Sequence, residues 1–193
     1  MKTIYFITSN KGKYSEAKEK LRDLNVILIQ HNIGYPEIQA DCLEDVIHFG
    51  VECIQKNFHK PFIIEDAGLF IDSLDGFPGV YSAYVHHTIG CKGVLRLLKN
   101  IGDKKRTAHF ESVYAYKDPD GNDAFIFRGK CHGKISSRML GISGFGYDPI
   151  FIPTGNTKTF AQMSLEEKNS YSHRGKAIDQ LIGFFKKINN RKF

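Results

Sequence analysis

Between residues 3 and 68, three short β-rich apolar runs, TIYFIT, VILIQ and PFIIEDAG, alternate with two longer stretches of helical spacing. GKYSEAKEKLRDL sets Tyr14, Ala17, Leu21 and Leu24 on one face, and LEDVIHFGVECIQKNF does the same with Leu43, Val46, Ile47, Phe49 or Gly50, Val51 and Ile54. Strand character broken by a period near 3.6 residues reads as βαβαβ, the opening of an α/β domain. The third run reads as a buried strand ending in acids, Glu65 and Asp66. Beyond it the pattern changes. LDGFPGVYS is turn-rich and GVLRLLKNI a short helix, while RTAHFESVYAYKD and DAFIFRGKCHGKI flank PDGN as a β-hairpin. In the closing SLEEKNSYSHRGKAIDQLIGFFKKI, Ser164 with Glu166 and Glu167 marks a helix start, and Ile178, Leu181, Ile182 and Phe185 form an apolar stripe.

A chain of 193 residues, 41% hydrophobic and free of repeats or low-complexity linkers, is sized for one compact domain. Its net charge of +6 favours phosphate-bearing partners, whether polymers or small molecules. Cys42, Cys53, Cys91 and Cys131 lie far apart with no C-x-x-C pair, so neither a zinc site nor a disulfide framework is indicated and the thiols read as reduced. No apolar run approaches the roughly 18 residues of a membrane span, and a cytoplasmic protein is expected.

Chemistry-bearing residues gather at the joints of this pattern. TSNKGK, Thr8 to Lys13, follows the first strand and opens a helix, where free N–H groups and the helix dipole favour an anion. It is not a P-loop, which needs G-x-x-x-x-G-K-[ST]. Glu65 and Asp66, with Glu37 and Asp41 from YPEIQAD, supply hard oxygen ligands of the kind that suit Mg²⁺ beside substrate phosphates. On the residues alone, Glu65 and Asp66 compete for the role of base. GFGYDPIFIP places Phe145 and Tyr147 in a glycine-flanked loop ahead of Asp148, as a close approach to a planar ligand would require. Finally, Lys168, Ser172, His173 and Arg174 in EEKNSYSHRGKA form a compact set of cationic or hydrogen-bonding groups for a carbonyl or phosphate. Each group has an ordinary alternative as a cap or a solvated face.

Taken in order, TSNKGK, PEIQ, IEDAGL, LDGFPGVYS, GFGYDPIF and TFAQMSLEEKNSYSHRGKA resemble the inosine triphosphate pyrophosphatase family over nearly the whole chain, in a form similar to its archaeal-like branch. The resemblance implies one domain over residues 1–193, a two-lobed α/β fold around a long mixed central sheet flanked by helices, and usually a homodimer. It also implies Mg²⁺-dependent cleavage of ITP, dITP and XTP between the α and β phosphates, with no nucleic acid polymer or membrane as partner. Carried over by position, it assigns Thr8, Ser9, Asn10, Lys11, Gly12 and Lys13 to the triphosphate, and Glu37 and Asp66 to the metal. Asp66 also activates the water. Phe145, Gly146, Tyr147, Asp148, Lys168, His173 and Arg174 are assigned to the base and nearby phosphate, with a ring of Phe145 or Tyr147 stacked on the purine and Asp148 accepting from its edge.

Two positions depart from the family pattern. Ala67, beside the substrate, stands where many members have serine, and Gly50 stands where many place a phosphate-binding lysine. Two other readings compete with this one. An RNA-binding module is suggested by the basic balance, KKR at Lys104 to Arg106 and KKINNRK near the C-terminus; it predicts strongly salt-dependent polymer binding without turnover. A pyrophosphatase for modified pyrimidine nucleotides, as in the related septum-inhibitor superfamily, is the nearer alternative.

Overall fold

The computed structural model describes residues 2–36 and 38–190. The βαβαβ opening is present as β1 (Lys2–Ile7), α1 (Lys11–Leu21), β2 (Val26–His31), α2 (Leu43–Gln55) and β3 (Phe62–Ile71). A two-residue strand β4 (Pro78–Gly79) and helices α3 (Ser82–Thr88) and α4 (Gly90–Leu97) follow. The hairpin is β5 (Thr107–Lys117) and β6 (Phe125–Ile135), then come β7 (Phe151–Pro153), α5 (Leu165–Tyr171) and α6 (His173–Asn190). The strands form one mixed sheet in the order β2-β1-β3-β5-β6-β7, with β4 on the end of β3. β1 runs parallel to β2 and β3, and the remaining pairs are antiparallel.

Three apolar clusters organise this sheet. Ile4, Phe6, Ile63, Tyr114 and Tyr116 pack against Ala17 and Leu21 of α1 and Ile178, Leu181 and Phe185 of α6. The opposite face sets Ile64, Val113 and Ala115 against Leu43, Ile47, Val51 and Ile54 of α2. A third cluster builds a second lobe from the far halves of β3, β5 and β6, with Val94, Phe151 and Phe160. The cleft lies where the lobes meet.

Three differences from the sequence reading bear on it. β3 does not end in its acids: it pairs with β5 through Ile71, so Glu65 and Asp66 sit mid-strand and alternate between faces. α3 was hidden in SAYVHHT, whose residues lack a clear apolar period. Between α5 and α6, Ser172 takes extended backbone at ψ 153° and its hydroxyl accepts from Gly175 N–H at 3.0 Å. α1 ends at Leu21, and Leu24 follows in a turn while still packing on the core.

Candidate active site

Asn10 caps α1. Its side chain accepts from the N–H groups of Gly12 at 2.9 Å and Lys13 at 3.1 Å, while the Thr8 hydroxyl accepts from Asn10 N–H at 3.1 Å. The expectation of free amides for a phosphate is corrected for Gly12 and Lys13, whose N–H groups the N-cap asparagine engages. Ser9 and Lys11 are exposed. Lys13 turns toward β3, where Nζ lies 2.7 Å from Glu65 Oε2 and 3.9 Å from Asp66 Oδ1.

Strand alternation gives those two acids different surroundings. Glu65 points toward α1 and α6, fully buried, accepting from Ser112 Oγ at 2.7 Å and Arg174 Nε at 2.9 Å. Burial opposes its charge, yet Arg174 and Lys13, with the Ser112 hydrogen bond, outweigh that and hold the carboxyl below its ordinary range. Asp66 borders a cavity of about 390 Å³ with Asn10, Lys13, Ala67 and Arg174, and its Oδ1 accepts from Ala67 N–H at 2.9 Å.

The cationic groups of α5 and α6 are tied to acids. Lys168 Nζ lies 2.6 Å from Glu16 Oε1 and 2.5 Å from Asp148 Oδ2, and Arg174 Nη1 lies 3.2 Å from Glu16 Oε2. Burial works against the Arg174 charge, but Glu65 and Glu16 keep its guanidinium more firmly protonated than usual. Those acids engage two of its five donors and leave the others for a ligand. Glu16, 2% exposed, escaped the sequence reading although it lies beside Ala17 on the buried face of α1.

His173 falls on the hydrogen-bonding side of its cationic-or-hydrogen-bonding set. Burial, then the charges of Arg174 and Lys168, push its pKa well down, so it stands as a neutral imidazole rather than a cation. Its ring stacks on Phe110 at 4.5 Å, and neither nitrogen has a hydrogen-bond partner among the described residues. Such a group is an unusual cost in a core.

In the 144–148 loop, Asp148 Oδ2 accepts from Phe145 N–H at 2.8 Å and pairs with Lys168, so that oxygen folds the loop. The expectation of a base-edge acceptor does not hold for Oδ2. Burial raises the Asp148 pKa against the opposing pull of Lys168. Gly144, at φ +77°, must lack a side chain, since a Cβ there would fall 2.2 Å from Asp148 Oδ2. The two aromatic residues part company. Tyr147 is buried in the second lobe and donates to Ser82 O at 3.0 Å. Phe145 borders the cavity, with Gly146 beside it.

Thus Asn10, Lys13, Asp66, Ala67, Phe145, Gly146, Tyr147, Asp148 and Arg174 line one cavity, whereas Gly12 and Lys168 line a neighbouring one of about 480 Å³. Thr8, Ser9, Lys11 and His173 line neither. Glu37 lies outside the described residues. His86 and His87 of α3 also border the Asp66 cavity and were missed with their helix.

A family model, the Ham1 family, matches residues 4–184. The chain belongs to the Ham1 family. Among its relatives, the dITP/XTP pyrophosphatase of Thermococcus kodakarensis is 49% identical over 94% of this chain and 96% of its own. That of Pyrococcus horikoshii is 50% identical, over 95% and 96%. Ham1 structures from Coxiella burnetii and Staphylococcus aureus superpose with TM-scores of 0.82 and 0.80 at 29% and 31% identity. They cover 97% and 96% of this chain and 100% and 99% of their own.

Gly50 has a local explanation within this Ham1 chain. A Cβ there would meet the Tyr35 ring at 2.8 Å and Ile64 at 3.0 Å, so the missing side chain makes a seat for Tyr35. Gly50→Lys is expected to unseat Tyr35, destabilising the fold by about 1–3 kcal/mol as overpacking does, without lowering KM for ITP. Thermal melts and steady-state kinetics check it; a lower KM at unchanged kcat would show that a phosphate cation had been restored.

Proposed function

We propose that this chain hydrolyses ITP, dITP and XTP to the monophosphate and pyrophosphate, clearing deaminated purine nucleotides. The carrying observation is a donor-only floor: Lys168 and Arg174, buried and fixed by Glu16, Glu65 and Asp148, beside the cavity that holds Asp66 and Lys13. Such a floor accepts a carbonyl edge and not an amino one. Two relatives bearing the name dITP/XTP pyrophosphatase support the same reading.

In this reading Asp66 orients and deprotonates the attacking water. Lys13 neutralises charge on the departing pyrophosphate, and Arg174 and Lys168 hold the base. Mg²⁺ is the proposed cofactor. Among the described residues no group of three His, Cys, Asp or Glu is placed to hold a metal. A cavity wall whose carboxylates are Asp66 and the Lys168-paired Asp148 instead fits an ion that takes most of its oxygens from phosphate and water. Glu37 is the proposed second ligand. Bound there, Mg²⁺ would offset negative charge on the phosphate oxygens. A homodimer in the cytoplasm completes the reading; among the described residues no helix is long and apolar enough to cross a membrane.

The test is product analysis. With Mg²⁺, purified protein is expected to convert ITP, dITP and XTP to monophosphate and pyrophosphate in equal amounts. Orthophosphate as the primary product would place cleavage at the wrong bond and reject the proposal.

A further inference from the structure

The two cavities flanking the 144–148 loop share one lining residue, Phe145. Its ring rests on Gly12, with Cδ1 and Cε1 only 2.4 and 2.6 Å from where a Cβ would stand. Above the ring, Lys168 Nζ and Arg174 Cζ lie 4.8 and 5.0 Å from the centroid, so two cations face its π-system. Phe145 therefore packs against both the bare Gly12 and two buried cations. Its neighbours Gly144 and Gly146 both take left-handed φ, +77° and +62°, a backbone that glycine adopts and leaves readily.

Resting on the function proposed above, this arrangement creates a conflict. Gly12 and Lys168 border one cavity, Asn10, Lys13, Asp66 and Arg174 the other, and a single nucleotide must reach both sets. With its ring on Gly12, Phe145 is the wall that both linings share. We propose that Phe145 is a gate: in the nucleotide-free enzyme it closes the passage by resting on Gly12, and nucleotide binding swings it away, joining the two cavities into one site. The ring then becomes a wall of the base pocket. Because the closed state excludes every nucleotide alike, the gate lowers apparent affinity by the closed fraction and leaves discrimination between bases to Lys168 and Arg174.

The chain contains no tryptophan, so Phe145→Trp introduces a sole indole reporter at the gate. On mixing with the α,β-methylene analogue of dITP, its emission is expected to change at a rate that levels off as the analogue concentration rises. Adding Gly12→Ala fills the seat; that double variant is expected to show, without nucleotide, the emission of the nucleotide-bound single variant. The same displacement is read without enlarging the ring by ¹⁹F NMR of protein labelled with 4-fluorophenylalanine, the Phe145 resonance being identified by its loss in Phe145→Leu. A rate that stays proportional to analogue concentration, or a Phe145 resonance that Gly12→Ala leaves unmoved, overturns the gate. Wild-type pyrophosphate release from dITP, measured in parallel, separates the two ideas: its presence alongside either result sinks the gate alone, and its absence sinks the functional reading.

Discussion

Asp66→Asn is expected to lower kcat for ITP by about 10²–10³-fold or more, the range seen when charge stabilisation of a transition state is removed, with the melting temperature nearly unchanged. Asparagine keeps the oxygen that accepts from Ala67 N–H, and the side chain stands at a cavity wall with 23% of its surface exposed. What it loses is the negative charge needed to bind a metal and take a proton from water. The neighbouring Glu65→Gln should behave in the opposite way. Glu65 is fully buried between Lys13 and Arg174, and removing one partner of a buried ion pair costs about 3–5 kcal/mol. The expected result is a large drop in melting temperature, with kcat falling less than in Asp66→Asn for whatever fraction remains folded. Circular dichroism melts and kinetics on both variants check the pair. A folded Asp66→Asn enzyme with near-wild-type kcat would remove Asp66 from the chemistry.

That contrast shows where sequence reading stops. The apolar periods of α1 and α2 and the hairpin around PDGN were legible because each is local: the spacing of Leu43, Val46, Ile47 and Ile54 is set by the face they bury. Glu65 and Asp66 are adjacent in the chain, and their difference comes from the β3–β5 register, which sets Glu65 opposite Tyr114 and Asp66 opposite Val113 on opposite faces of the sheet. Local pattern carries no such information. Glu16 shows the same limit, since the Lys168 and Arg174 that justify its burial lie more than 150 positions away in the chain. α3 failed for another reason: a seven-residue helix with only Ser82 and Val85 buried has too little apolar face to show a period. Of the loop glycines read as a close approach to a ligand, Gly144 meets the loop's own Asp148, and Gly146 has open space among the described residues where a Cβ would stand.

The base pocket gives the second large effect: kcat/KM for ITP and XTP is expected to exceed that for ATP by up to about 10⁴–10⁵-fold, the range reached when a site built on hydrogen bonds meets the wrong partner. Lys168 and Arg174 have no acceptor to offer, and three buried acids hold their side chains in place. A 6-carbonyl meets donors. The 6-amino group of adenine presents hydrogens to hydrogens and leaves buried groups unpaired, a penalty that shape alone, at about 10–200-fold per methylene, could not match. GTP is expected to be disfavoured too, its 2-amino group being refused by shape or by a lack of acceptors. Arg174→Ala should lose most of the preference, through lost activity on the 6-oxo substrates rather than gained activity on ATP. Because that change also leaves Glu16 and Glu65 short of a cation, Arg174→Lys belongs beside it. Lysine restores the charge without the planar fork, so it should recover melting temperature more fully than selectivity. Measuring kcat/KM for ITP, XTP, GTP and ATP on all three proteins decides the matter: wild-type rates on ATP equal to those on ITP would mean that the buried cations do not read the base, and that Glu16, Glu65 and Asp148 hold them for the fold alone.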